Sequence, residues 1–273
     1  MKDFHGFKTQ NFDFYSKLDT KPTFADFDKE TYFSTHFHME YEIYLFLHGD
    51  VDYFVKDSFY HLSKNDLLII PPTVYHYPKL RSNEPYHRIT IEFPKSYLTE
   101  ELRSTIDHLK IHHKIPTDSV IFDLYKNALL IVDRYEKQIV QSSLIHYLNL
   151  ILTEITYLDK TVSNETPSDI HPLLNEILSF INSHLNIPLS LTTIANEFSI
   201  TPTWLTHFFK KHMNISVMQY VTHNKILKAQ QCIENGESPS VVASQFGFEN
   251  YTTFYLQYKK IFGKSPSRYN KIR

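Results

Sequence analysis

Residues 194–220 read IANEFSITPTWLTHFFKKHMNISVMQY, and residues 242–269 read VASQFGFENYTTFYLQYKKIFGKSPSRY. Ile194, Ala195 and Phe198 answer to Val242, Ala243 and Phe246 at an offset of 48. Leu205, Phe209, Lys210, Lys211, Asn214, Ser216 and Tyr220 then answer to Phe254, Tyr258, Lys259, Lys260, Gly263, Ser265 and Tyr269 at an offset of 49. The slip of one residue falls between the two apolar segments, where a turn belongs. Two copies are too few for a stacked solenoid, which needs at least about three. The echo therefore predicts a duplicated small module.

Each copy has the grammar of a helix, a turn and a second helix. Ser190 suits the N-cap of a helix over 191–198, 199–201 the turn, and Thr201-Pro202 the opening of the next helix, with proline at its first position. Helical spacing in that second helix puts Leu205, Phe208, Phe209 and His212 on one face and Thr203, Thr206, His207 and Lys210 on the other. The corresponding outward set of the second copy is Thr252, Tyr255, Leu256 and Lys259, with Tyr251 at the leading end. Lysine pairs close both helices, where cations suit the C-terminal dipole and also reach phosphate. A long helix over about 217–235, stopped by Asn235-Gly236, joins the modules.

This C-terminal stretch resembles the paired helix-turn-helix domain of AraC/XylS-type transcription regulators. The family signature reads here as Gly247-Phe248, Phe254, Lys259-Lys260, Gly263, Ser265-Pro266 and Tyr269. Three positions depart from it: Tyr258 replaces a Phe, Asn270 an Arg and Asn214 a Gly. The resemblance implies double-stranded DNA as partner, with the two second helices in successive major grooves roughly 34 Å apart. Thr203, Thr206 and His207 are then the expected base readers, with Tyr251, Thr252 and Tyr255 as weaker counterparts. Lys210, Lys211, Lys259 and Lys260 are expected on phosphates, which position without specifying. Trp204, beside the reading face, is expected to pack or to contact the DNA backbone.

Charge agrees with that division. From residue 170 onward 10 Lys+Arg stand against 5 Asp+Glu, or +5, while the preceding 18 against 25 give −7. A basic module on an acidic body suits nucleic-acid contact at the back alone. Cys232 is the only cysteine, so no disulfide can form within the chain, and its apolar stripe with Ile226 and Ala229 suggests a small buried hydrophobe. No apolar run is long enough to span a bilayer and the N-terminus lacks a leader pattern; no membrane is expected as partner, and a cytoplasmic location is.

The front is rich in β-branched and aromatic residues. Segments 41–47, 51–55, 66–70 and 86–93 read as strands separated by polar or proline turns, which predicts a barrel or double-sheet jelly roll and an α+β fold overall. Within it, His36, His38 and Glu42 share one face if extended, Gly49 follows, and Pro71 precedes His76 by five residues. This resembles the two boxes of cupin barrels, in which the three His and the Glu would bind a divalent metal. Glu30, Asn65 and Thr73 stand where the boxes have glycine, and Leu80 where they close on Asn. The reading favoured is an effector pocket holding no metal or other cofactor, lined by His36, His38, Glu42, Tyr44 and His76, with Tyr53, Tyr75 and Tyr77 as further aromatic surfaces. Such amphipathic rings suit a sugar. The rival reading is a metal-dependent cupin enzyme, a dioxygenase or isomerase, fused to a DNA-binding tail; a protein-binding scaffold is a third.

Residues 98–112, 118–135 and 139–159 read as helices. In the last, Leu144, Leu148, Ile151 and Ile155 form a heptad-like seam that either packing on the barrel or a helix-to-helix dimer contact would bury; the family's habit favours a homodimer. His108, His112 and His113 read as solvated. The expected organisation is therefore a barrel over 1–95, a helical and dimerising segment over 96–158, a linker over 159–170, and a DNA-binding domain over 171–273 with helix-turn-helix motifs near 191–212 and 239–262. RNA polymerase is a further expected partner if the outcome is activation.

Overall fold

A computed structural model describes residues 4–20, 36–56, 58–161, 171–213 and 215–266. The chain divides into two units, residues 1–169 and 170–273.

The first unit is built on strand β3, Tyr41–His48, an almost unbroken apolar run because it is buried on both faces. It pairs with β6, Asp66–Ile70, and β8, Tyr86–Phe93. With β1, Phe4–Lys8, β2, Asp13–Asp19, and β9, His112–Lys114, these form an antiparallel six-stranded sheet in the order β1-β2-β8-β3-β6-β9. A second sheet, β5-β4-β7, comprises Ser58–Leu62, Val51–Val55 and His76–Leu80. The outcome is the two-sheet form of the expectation. The strands do not close into a single barrel.

Period-two alternation sends β3 side chains to two cores. Tyr44 and Phe46 meet Val51, Tyr53, Leu62, Leu68 and Leu80 between the sheets. Ile43 and Leu45 meet the helices on the other side, together with Phe14, Ile91 and Phe93. Those helices are α1, Glu100–Thr105, α2, Ile121–Val132, and α3, Lys137–Thr161.

Several expectations change here. Leu144, Leu148, Ile151 and Ile155 on α3 are fully buried in the core of a single chain, so they cannot also form a dimer seam. The seven-residue rhythm records a long helix lying on a sheet. The helix expected over 98–112 is instead α1 flanked by short 3-10 turns, and the chain then straightens into β9. His112 and His113 lie on that strand and are buried, His112 Nε2 standing 3.5 Å from Asp66 Oδ2 and His113 Nε2 donating to Lys110 O at 2.8 Å. The helical stretch thus shares a sheet and a core with the strands. The expected linker begins late: 159–161 end α3, and 162–170 lie outside the described residues.

The second unit is helical: α4, Pro172–Ser183; α5, Leu191–Glu197; α6, Pro202–Met213; α7, Val217–Glu234; α8, Pro239–Gln245; and α9, Tyr251–Phe262. Side chains cap several of these helices, Ser190 as expected. Ser190 Oγ accepts from Thr193 N at 3.0 Å, and Asn250 Oδ1 from Thr253 N at 2.8 Å. Ser216 and Gln219 close a reciprocal capping box. The slip from 48 to 49 is visible as one extra residue between α8 and α9 relative to α5 and α6. Both turns pass through the left-handed region, at Ser199 (φ 55°) and at Gly247 (φ 71°). Asn214, Tyr269 and Asn270 fall outside the described residues.

Candidate nucleic-acid interface and ligand cavity

On α6, Leu205, Phe209 and Met213 form the buried stripe. Thr203, His207, Lys210 and Lys211 are exposed and Thr206 is half-buried. The Thr206 hydroxyl donates to Pro202 O at 2.9 Å, so it offers an outside group its lone pairs. His212 joins a column of rings: Trp204 stacks on Phe208 at 4.5 Å and 14°, and Phe208 lies 4.6 Å from His212. Trp204 therefore packs, though 44% of it remains exposed.

On α9 the buried stripe is Phe254, Tyr258 and Ile261. Tyr251, Thr252, Leu256, Lys259 and Lys260 are exposed and Tyr255 is half-buried. The Tyr258 departure is explained by α7: its buried hydroxyl donates to Gln230 Oε1.

One residue missed in the sequence connects the modules. Lys225 on α7 is buried, and its ammonium donates to Ile187 O at 2.9 Å, ahead of α5, and to Phe246 O at 2.7 Å, at the end of α8. Gly247 leaves room for it. A Cβ there would stand 3.4 Å from both Lys225 Nζ and Pro188 N, in a backbone conformation that side chains disfavour.

In the first unit a cavity of about 560 Å3 opens against the six-stranded sheet. Strand β8 contributes Tyr86, Arg88, Thr90 and Glu92, β2 contributes Tyr15 and Lys17, and β3 contributes Glu42 and Tyr44. Tyr53, His36 and Lys8 complete the polar wall. Of the expected pocket residues, His36, Glu42 and Tyr44 line the cavity, whereas His38 and His76 meet Glu42 without lining it. Tyr75 and Tyr77 do not line it either. The alternation Tyr86, Arg88, Thr90, Glu92 on an otherwise apolar strand was the legible signal for the rest.

Glu42 is the hub. Its Oε2 lies 3.0 Å from His38 Nε2 and 3.1 Å from His76 Nε2. Burial would raise the Glu42 carboxyl, but the two imidazoles overcome it and hold the group far below the usual carboxylate range. Burial likewise opposes charging His38, yet Glu42 wins and pushes it up to about 9. Glu92, paired across the strands with Glu42, is pushed up to about 7 by burial and then by that neighbour's charge. Arg88 is held by Asp19 at 2.7 Å and lies over the Tyr86 ring at 4.3 Å. Tyr44 and Tyr86 join hydroxyl to hydroxyl.

His36, Glu42 and His76 also offer donor atoms within 4.8 Å of one another. His76 Nδ1 is bonded to Val74 O at 2.8 Å, while its buried Nε2 has no aligned hydrogen-bond partner among the described residues. Nitrogens and a carboxylate at this spacing fit a divalent transition ion, whose bonds run about 2.0–2.2 Å.

Comparison with known proteins agrees with both units. An AraC-like ligand binding domain model matches residues 20–142, and a helix-turn-helix domain model matches residues 194–272. An uncharacterized HTH-type transcriptional regulator of Bacillus subtilis is 24% identical over 87% of this chain and 78% of its own length. An uncharacterized response regulatory protein of Staphylococcus epidermidis is 28% identical over 36% of this chain, which spans only 39% of that relative. The XylDLEGF operon transcriptional activator of Pseudomonas putida is 27% identical over 45% of this chain and 40% of its own. A solved structure from Listeria innocua covers 38% of this chain and 99% of its own at 29% identity, with a TM-score of 0.35. Among the described residues no helix is long and apolar enough to cross a membrane. With an AraC-like ligand binding domain model over its strands and a helix-turn-helix domain model over its duplicated helices, the chain joins the two domains that its resemblance to AraC-type transcription regulators implied.

Proposed function

We propose that this protein is a sequence-specific DNA-binding regulator of transcription controlled by a small polyhydroxylated effector, a carbohydrate by the chemistry of the first unit's cavity. The observation that carries the DNA reading is twofold recurrence: α6 and α9 each bury one stripe and leave short polar or aromatic side chains and a lysine pair exposed. Thr203, Thr206, His207, Tyr251, Thr252 and Tyr255 then read base edges, and Lys210, Lys211, Lys259 and Lys260 hold phosphates. The cavity supports the effector reading. It falls within the size range of ligand sites and sets tyrosine rings beside hydroxyls, carboxylates and Arg88. The protein acts in the cytoplasm as a homodimer through a surface other than the α3 seam, and meets RNA polymerase where it activates.

Duplexes selected from a random pool test the reading. A Thr206→Ala, His207→Ala double variant should lose at least about tenfold discrimination between selected and scrambled sites, each lost base contact being worth about 1–3 kcal/mol. Unchanged discrimination refutes the reader assignment. Calorimetric titration with a panel of monosaccharides tests the effector, and no saturable heat with any of them removes the sugar.

The rival metal-cupin reading keeps one observation, the His36, Glu42 and His76 donor set with its unaligned His76 Nε2. Stoichiometric Fe, Mn or Zn in protein purified without chelator, lost in His76→Ala, would favour it.

A further inference from the structure

The same strands that wall the polar cavity carry a second one on their opposite face. On β8, His87 and Ile89 alternate with Tyr86, Arg88 and Thr90, and on β2, Ser16 sits between Tyr15 and Lys17; along each strand successive residues face opposite cavities. This second cavity, about 410 Å3, lies between the six-stranded sheet and α2. It is open to solvent on one side, where Lys126 and Asp133 are exposed, and runs inward to the buried Tyr125.

Its walls are apolar: Leu47 and Ile89 from the sheet, Phe122 and Leu129 from α2. Two pairs of polar groups face it, of which Ser16 and His87 are hydrogen-bonded. Ser16 Oγ and His87 Nε2 are 2.9 Å apart, and His5 Nε2 stands 3.1 Å from Asp133 Oδ2. Burial, then the charge of Arg88, lowers the His87 pKa and keeps that ring neutral, while Lys126 is exposed to solvent. No charge here calls for an ionic ligand. Two lining groups lack an aligned hydrogen-bond partner among the described residues: His5 Nε2, which has the Asp133 carboxylate beside it, and the hydroxyl of the buried Tyr125, which has no such neighbour. An unpaired buried hydroxyl is costly, and an acceptor oxygen brought in by a ligand would relieve it.

We propose that the cavity between the six-stranded sheet and α2 is a second ligand site, for a neutral, mostly apolar small molecule carrying one carbonyl or ether oxygen for Tyr125. It is chemically distinct from the polar cavity and does not depend on the sugar reading. A ligand there braces α2 against β2 and β8, so one sheet would sense two unlike molecules, one on each face.

The test uses the aromatic ketone prodan as probe with the full chain. Saturable binding of one dye per chain with a blue-shifted emission is expected. Leu129→Trp from the helix side and Ile89→Phe from the sheet side, each filling the space, should abolish it, and circular dichroism identifies whichever variant folds. Tyr125→Phe should weaken binding on the order of threefold to tenfold, the worth of one hydrogen bond. Absence of saturable binding overturns the site. So does binding that survives a folded filling variant, which would put the dye elsewhere, and an unchanged affinity in Tyr125→Phe overturns the assigned acceptor.

Discussion

Glu42 holds two imidazoles on one carboxylate, and its neighbours inherit the consequences. His38 titrates near 9 in the folded chain against a reference of 6.5, so its contribution to stability is complete below about pH 6.5 and is lost as pH rises through 9. Glu92 titrates near 7 against 4.5, so ionising it beside Glu42 costs stability as pH rises from about 4.5 to 7. Both slopes have the same sign. Thermal melting of the first unit should weaken steadily from pH 5 to 9; Glu92→Gln flattens the acid limb and His38→Gln the alkaline one. At about 1.4 kcal/mol per pKa unit, each is worth at most about 3.5 kcal/mol. A flat profile in the parent chain would show that Glu42 does not couple these groups. His36 and Glu42 were legible from their short spacing, and His76 through the resemblance to the second cupin box. Lys8, Tyr15 and Lys17 were not, since they reach the cavity from two N-terminal strands whose mixed composition announces no buried face.

At the scale of elements, helix α3 shows how one pattern serves two structures. Leu144, Leu148, Ile151 and Ile155 alternate as a coiled-coil seam would, and the sheet takes them instead. Leu148→Ala should therefore cost about 2–5 kcal/mol in unfolding experiments while leaving the oligomeric state by light scattering unaltered. Dissociation of an assembly without loss of monomer stability would restore the seam. In the second unit α7 does more than separate two modules, because Lys225 donates to Ile187 O before α5 and Phe246 O after α8. Lys225→Met keeps the volume and strands both carbonyls, at about 1–3 kcal/mol each. It should also broaden the tolerated spacing between the two half-sites on DNA, which simple destabilisation would not do; a variant that keeps the parent's spacing preference, probed with duplexes lengthened by a base pair or two, refutes the clamp.

Over the whole molecule, a net charge of −2 conceals +5 beyond residue 170 and −7 before it. Since screening reaches about 8 Å at physiological salt, the basic unit meets DNA on its own account. The logarithm of affinity should fall linearly with the logarithm of salt, and each of Lys210→Gln, Lys211→Gln, Lys259→Gln and Lys260→Gln should lower the slope by about 0.9 for every phosphate lost, equally on all sequences. A slope indifferent to all four substitutions would take these lysines off the backbone. The amino-acid sequence by itself determined the duplicated helix-turn-helix, its caps, its turn lengths and its outward faces, because those depend on residues three or four apart. Only the tertiary structure decided that α3 lies on a sheet, that a three-residue strand buries His112 and His113, and that β2 and β8 divide two cavities. Those outcomes join residues tens of positions apart, where burial and pairing with a distant partner outweigh any local preference.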